Sequence, residues 1–245
     1  MLMHTNYTNT IIILHGWGSS AEAWQKPKAL LEEAGYSVFV PDLPGFGKEP
    51  APEKAWEVSD YADWVLDKFG KFDQFVLIGH SFGGRIAIKL AAQHPEKIEK
   101  LILTGAAGIR FISFKEKFKV GVYELVCQAG AWFFFIPPLT LFRPLVRKIL
   151  YWLAGTKDYY KATDPVIKKT FKMVIAEDLT VFLKEIKAPT LLIWGKKDFM
   201  IPLKHAELMR KNILSSELKV IKEAGHQLPY QRPEIFTEEV VKFIK

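Results

Sequence analysis

Six short apolar runs punctuate the chain: TIIIL (Thr10–Leu14), YSVFV (Tyr36–Val40), FVLIG (Phe75–Gly79), KLILT (Lys100–Thr104), TLLIW (Thr190–Trp194) and LKVIK (Leu218–Lys222). Most are apolar throughout rather than alternating, which is the pattern of parallel strands buried on both faces. Helical candidates separate them at about Ala21–Glu33, Ser59–Lys68, Phe82–Gln93, His205–Asn212 and Glu234–Ile244. Pro233 stands where the last helix begins, a position that suits its missing N–H. Strand–helix alternation of this kind restricts the chain to the α/β class, with a mostly parallel sheet of about six strands flanked by helices.

The alternation breaks once, between Gly105 and Pro189, where helical periodicity runs without a strand. Residues 109–187 are therefore read as a helical cap, or lid, inserted after the fourth strand, with 1–108 and 188–245 forming the core. The charge is uneven in the same place. Between Gly108 and Lys187 there are 14 Lys/Arg against 7 Asp/Glu, which accounts for the whole net charge of +7. That stretch also holds 15 of the 33 aromatic residues, so a neutral framework carries a basic, aromatic-rich insert. Leu125–Phe142 is 18 residues without a charge, the lower edge of a membrane span, but Gln128 and Gly130 dilute it and Pro137-Pro138 would break a spanning helix. A buried or pocket-lining segment is expected instead, with Trp132, Phe135 and Trp152 walling an apolar pocket or forming the cap's own core.

At the end of the third apolar run, LIGHSFGG (Leu77–Gly84) sets Ser81 between Gly79 and Gly83 at the start of a helical pattern. Given 16 glycines and 8 serines, about 0.03 chance G-x-S-x-G matches are expected in a chain of this length. The strand–turn–helix context is the one a nucleophile elbow needs. A tight turn presses the flanking residues against neighbouring backbone, where a Cβ would clash, and Gly84 lets the next helix approach closely. The bend puts the Ser81 hydroxyl at a helix N-terminus, which favours developing negative charge.

A serine needs a base and an orienting acid. His226, in KEAGHQLPYQRPE, sits in a loop between the last strand and the last helix, at the sheet rim formed by strand carboxyl ends. His80 should leave its strand on the other face from Ser81. His94 has a capping explanation, and His4 and His205 lack context. Asp198, in LLIWGKKDFMIP, lies four residues beyond a strand end at the same rim. Asp42, in PDLPGFG, reads as a turn residue. A tetrahedral intermediate needs preorganised N–H donors, for which the amides of Phe82 and of Trp17, in HGWG, are the candidates. No H-x-x-x-H or H-E-x-x-H pair and no cysteine cluster suggests a metal, and none is expected.

The motifs LHGWGSSAEAW, PDLPGFGKE, LIGHSFGGRIAIKLA, PTLLIWGKKDFMIP and AGHQLPYQRPE, in that order, resemble the α/β-hydrolase fold superfamily. The resemblance covers Thr10–Gly108 and Ala188–Lys245. It implies a cofactor-free serine hydrolase with Ser81 as nucleophile, His226 as base and Asp198 as its orienter, and an insert that acts as a substrate-selecting cap. A serine at the elbow disfavours haloalkane dehalogenases and epoxide hydrolases. Members usually have two further strands before HG, so the first hairpin is expected to be missing, leaving an exposed sheet edge. The framework is most similar to small carboxylesterases, and an apolar ester of small to medium acyl chain is the leading substrate. Thioesterases, lactonases, perhydrolases and carbon–carbon bond hydrolases share the apparatus, although the last tend to carry Asn where this chain has His80. A non-catalytic ligand receptor on the same fold is the alternative from another class.

The partner expected is therefore a small-molecule ester, with no nucleic acid and no transmembrane span. The basic cap is read as a solvated surface, with docking on an acidic carrier or an anionic membrane as alternatives. Cys127 is the only cysteine, and MLMHTNYTNT carries no signal-like pattern. A cytoplasmic location is the expectation.

Overall fold

The computed structural model describes residues 9–110 and 164–245. Strands β1 (Thr10–Leu14), β2 (Ser37–Phe39), β3 (Phe75–His80), β4 (Ile98–Thr104), β5 (Thr190–Gly195) and β6 (Ser216–Ile221) make one sheet in the order β2-β1-β3-β4-β5-β6. Every pair in it is parallel. Helices α1 (Gln25–Glu33), α2 (Val58–Phe69), α3 (Phe82–Gln93), α4 (Pro165–Ala176), α5 (Lys204–Asn212) and α6 (Pro233–Ile244) accompany the sheet. None of the described helices is long and apolar enough to cross a membrane.

Side chains alternate across a strand, so an all-apolar strand feeds two cores at once. Ile11 and Ile13 of β1, with Val76 and Ile78 of β3, pack with Leu31 of α1 and with Phe236 and Val240 of α6. Ile12, Leu14 and Leu77 point the other way, towards Tyr61 and Val65 of α2, Ile86 and Leu90 of α3, and Met209 of α5. Helix α2 owes its place to one apolar stripe, Val58, Tyr61, Ala62, Val65 and Phe69, repeating at helical spacing. Helix α3 is buried along most of its length.

Edge strand β2 is short, and only its central Val38 is buried. A three-residue edge offers little template for pairing with another chain.

Most of the expected cap, 111–163, lies outside the described residues, and with it Trp132, Phe135 and Trp152. Residues 9–109 and 164–245 cluster into a single compact unit. Helix α4, which the sequence groups with the insert, therefore belongs with the sheet. The Arg85 guanidinium of α3 donates to the carbonyls of Val174 (2.8 Å) and Glu177 (3.1 Å), satisfying groups that a helix leaves open at its C-terminus. Lys89, four residues on, pairs with Glu177 at 2.7 Å and lies over the Phe182 ring, so its buried ammonium is compensated.

Phe236 is fully buried, against Trp24 at 5.9 Å between ring centroids, where α6 closes the sheet's second face. Phe236→Ala is expected to lose about 3–5 kcal/mol of stability, read as a lower urea midpoint at unchanged m-value.

Candidate active site

In sequence order the chain leaves β1 for β2 on one side, then crosses to β3 on the other side of β1. The loops after β1 and β3 therefore diverge, and the crevice between them at the strands' carboxyl ends is where an open α/β sheet binds ligands. HGWG follows β1 there and Ser81 follows β3.

Ser81 is the only non-glycine with positive φ among the described residues (φ 53°, ψ −110°). Such a conformation costs on the order of 1–3 kcal/mol and persists only where the surroundings enforce it. They do so with backbone bonds to both sides. The Ser81 amide donates to the Thr104 carbonyl of β4 at 3.2 Å, and the Ala107 amide donates to the Ser81 carbonyl at 3.1 Å. The Gly83 amide donates to the His15 carbonyl at 3.0 Å. A Cβ at Gly83 would come within 2.0 Å of the Leu14 carbonyl oxygen, and one at Gly84 within 2.4 Å of the Ala106 Cβ. Helix α3 can start this close to β1 and β4 only where those side chains are absent.

Phe82 takes the first position of α3, where an amide has no intrahelical acceptor. The Trp17 side chain is wedged among Phe46, Phe82 and Phe171, at centroid distances of 4.8, 5.1 and 4.9 Å, all edge-on. His15 holds the same loop from inside. Its Nδ1 bonds the Gly16 carbonyl at 2.8 Å, and its Nε2 accepts from the Leu43 amide at 3.0 Å. A carbonyl only accepts, so the proton is on Nδ1, and burial depresses the pKa of His15. An open hollow of about 530 Å³ beside this loop, lined by residues including Gly18, Ser20 and Gly47, includes none of Ser81, Asp198 and His226.

His226 and Asp198 come together from the loops after β6 and β5. Nδ1 of His226 lies 2.9 Å from Oδ2 of Asp198, whose side chain is 1% exposed. The other carboxylate oxygen accepts from the amides of Met200 (2.9 Å) and Ile201 (2.8 Å), which fixes its plane. With Nδ1–H committed to the carboxylate, Nε2 of His226 is the bare nitrogen. Gly105, just past β4, shares this space: a Cβ there would fall 2.9 Å from His226 Nδ1. The Thr104–Ala107 segment thus touches Ser81 on one side and the His226–Asp198 pair on the other. Asp42 accepts from the amides of Ala21 (2.7 Å) and Lys48 (2.8 Å), a structural task in its loop. His94 caps α3, and Nδ1 of His205 reaches the Pro202 carbonyl at 3.0 Å. Among the described residues no three His, Cys, Asp or Glu side chains are grouped as a metal would require.

Strand parity sends His80 to the α1–α6 side of the sheet, with Val76 and Ile78. What parity does not show is that the His226 loop wraps round to meet it. His80 Nε2 lies 3.0 Å from the His226 carbonyl, and its Nδ1 lies 3.3 Å from the Tyr230 hydroxyl. Burial drives the pKa of His80 down to about 3, helped by the neighbouring His226 and opposed by Asp198. In the unfolded chain the same imidazole titrates near its ordinary value. Between these limits the unfolded state holds a proton that the folded state does not, so stability falls as the pH falls below about 6.5. The contribution of His80 alone is about 2 kcal/mol between pH 7 and pH 5. Urea unfolding should show that decline in the wild type and a flatter profile in His80→Gln. Equal slopes in the two proteins would count against a neutral, buried His80.

Comparison with known proteins bears on the fold and the broad activity. Residues 9–166, more than half of the chain, match the alpha/beta hydrolase fold family. A 2-hydroxy-6-oxononadienedioate/2-hydroxy-6-oxononatrienedioate hydrolase of Klebsiella pneumoniae is 26% identical, covering 96% of this chain and 86% of its own. A 2-hydroxy-6-oxo-6-phenylhexa-2,4-dienoate hydrolase of Comamonas testosteroni is also 26% identical, covering 100% of this chain and 91% of its own. Among solved structures, an esterase from Exiguobacterium antarcticum superposes with a TM-score of 0.71 at 27% identity, covering 96% of this chain and 91% of that one. The chain belongs to the alpha/beta hydrolase fold family and is a hydrolase.

Proposed function

We propose that the protein is a serine esterase working through an acyl-enzyme, with Ser81 as nucleophile, His226 as base and Asp198 as its orienter. The observation that carries the reading is the pairing of a strained Ser81 backbone with a His226–Asp198 hydrogen bond at the same rim. In this scheme His226 Nε2 takes the Ser81 proton as the hydroxyl attacks the ester carbonyl. Asp198, held by two amides, keeps the imidazole in the right tautomer and stabilises the cation that forms. The amides of Trp17 and Phe82 hold the developing oxyanion. His226 then gives its proton to the departing alcohol and activates the water that releases the acid. No cofactor enters these steps.

The similarity to the Exiguobacterium esterase supports an ester as substrate. A second reading has its own observation. The names of the Klebsiella and Comamonas relatives describe substrates with a ketone and a carboxylate but no ester link. Their hydrolysis breaks a carbon–carbon bond, and the same triad could be put to that use here. A location in the cytoplasm fits either substrate.

Ser81→Ala is expected to abolish labelling by a fluorophosphonate probe and to lower ester turnover by at least about 10³-fold, with thermal unfolding little changed. Labelling that persists in the variant would remove Ser81 from the role. Across p-nitrophenyl esters of graded acyl length, the wild type should turn over short and medium chains. Ready hydrolysis of a 2-hydroxy-6-oxo-6-phenylhexa-2,4-dienoate with no ester turned over would decide for carbon–carbon cleavage.

A further inference from the structure

His80 takes no part in the scheme above, yet it is 4% exposed, immediately precedes Ser81 in the chain and lies against the His226 loop. Its hydrogen bonds admit one reading. The His226 carbonyl can only accept, so the Nε2 of His80 at 3.0 Å must carry the proton and donate. A neutral ring then has a bare Nδ1, which accepts from the Tyr230 hydroxyl at 3.3 Å. Burial raises the pKa of Tyr230, so that hydroxyl keeps the proton it donates. Gly16 leaves room for this: a Cβ there would stand 3.1 Å from His80 Nδ1. The His80 and His226 rings lie 4.9 Å apart between centroids, tilted by 42°.

We infer that His80 is a positioning residue for the base, its Nε2–H gripping the His226 main chain while Tyr230 sets the tautomer that makes the grip possible. The inference rests on the triad reading above and adds to it. His226 sits on a loop, and a loop is the least rigid place to put a base. The Asp198 bond fixes the ring but not the backbone that carries it. Nothing holds that backbone in register with Ser81 more directly than a bond from the residue immediately before Ser81. Neutrality is part of the device. A cationic ring so close would oppose the imidazolium that His226 must become, so a residue that donates a hydrogen bond without carrying charge is required. The charged and titratable groups around His80 are His226, Asp198, His15 and Tyr230.

The test uses the full chain with His80→Leu, His80→Gln and Tyr230→Phe. Steady-state hydrolysis of a short p-nitrophenyl ester and the rate of fluorophosphonate labelling are read for each, with thermal unfolding alongside. A misplaced base is expected to lower kcat and the labelling rate by about 10- to 100-fold in His80→Leu, with KM within about threefold. His80→Gln, whose amide nitrogen can stand where Nε2 was, should recover to within about fivefold of wild type. Tyr230→Phe should fall in between. The inference is overturned if His80→Leu labels at the wild-type rate, if Gln and Leu are equally impaired, or if the loss is confined to KM. Should His80→Leu fail to fold, Tyr230→Phe and His80→Gln decide, and wild-type kcat in Tyr230→Phe counts against it. A wild type that does not label at all sinks the triad reading itself, and this inference falls with it.

Discussion

The backbone at Ser81 is held in a corner that a side-chain-bearing residue avoids, with φ 53°, and the rest of the site is arranged around keeping it there. A turn this tight does not stand alone. It is pinned to β4 through Thr104 and Ala107 and to the end of β1 through His15. The pins are short because Gly83 and Gly84 let helix α3 sit against strand backbone. A kilocalorie-scale local strain is thus offset by hydrogen bonds and by the burial of most of helix α3. The bend leaves the serine half-buried at the rim, with its helix buried behind it.

Three histidines within this neighbourhood meet three different environments. His15 and His80 are buried and held neutral, each with a tautomer forced by a carbonyl that can only accept. His226 has a carboxylate on its Nδ1 instead and stands on the sheet's rim. The same side chain thus serves as a clamp for a loop, as a donor to a main-chain carbonyl 146 residues away, and, in the proposed scheme, as the base. Partners decide between these roles, since all three have the same intrinsic chemistry.

Much of the fold can be read from the sequence because its strands are apolar on both sides. TIIIL has the bounds of β1, and helix α3 has those of its pattern. The reading weakens where strands carry charge. Strand β4 begins at Ile98, two residues before the run that starts at Lys100, because Glu99 and Lys100 together interrupt the apolar pattern. Lys100 has a reason to be there. Its ammonium donates to the carbonyls of Phe243 (2.9 Å) and Ile244 (2.6 Å) at the end of α6, a contact between distant parts of the chain. Strand β6 starts at Ser216, because Ser216 and Glu217 on a half-exposed edge resemble a turn. At the rim, the pairing of Asp198 with His226 near the Ser81 turn is legible because strand ends converge there. The bond from His80 to the His226 carbonyl spans 146 residues and is invisible to parity or spacing. So is the wedge of Phe171 against Trp17, since nothing local distinguishes Phe171 from the other aromatics of the insert.

That wedge bears on how a long insert and the Ser81 turn share one chain. The excursion leaves the core at Gly108 and is back by α4, and the two stems are stitched together by the Leu179 amide, which donates to the Gly108 carbonyl at 2.9 Å. Arg85 and Lys89, on helix α3 just after Ser81, hold the C-terminal end of α4. Phe171 in the middle of α4 leans on the loop that carries the Trp17 amide. Loop-closure entropy grows only slowly with length, so a long excursion tied to rigid elements at Gly108 and at the end of α4 costs the framework little. The bonds that hold Ser81 in its strained turn, to Thr104, to Ala107 and through Gly83 to His15, all lie within the framework, so the length of the excursion has little purchase on them.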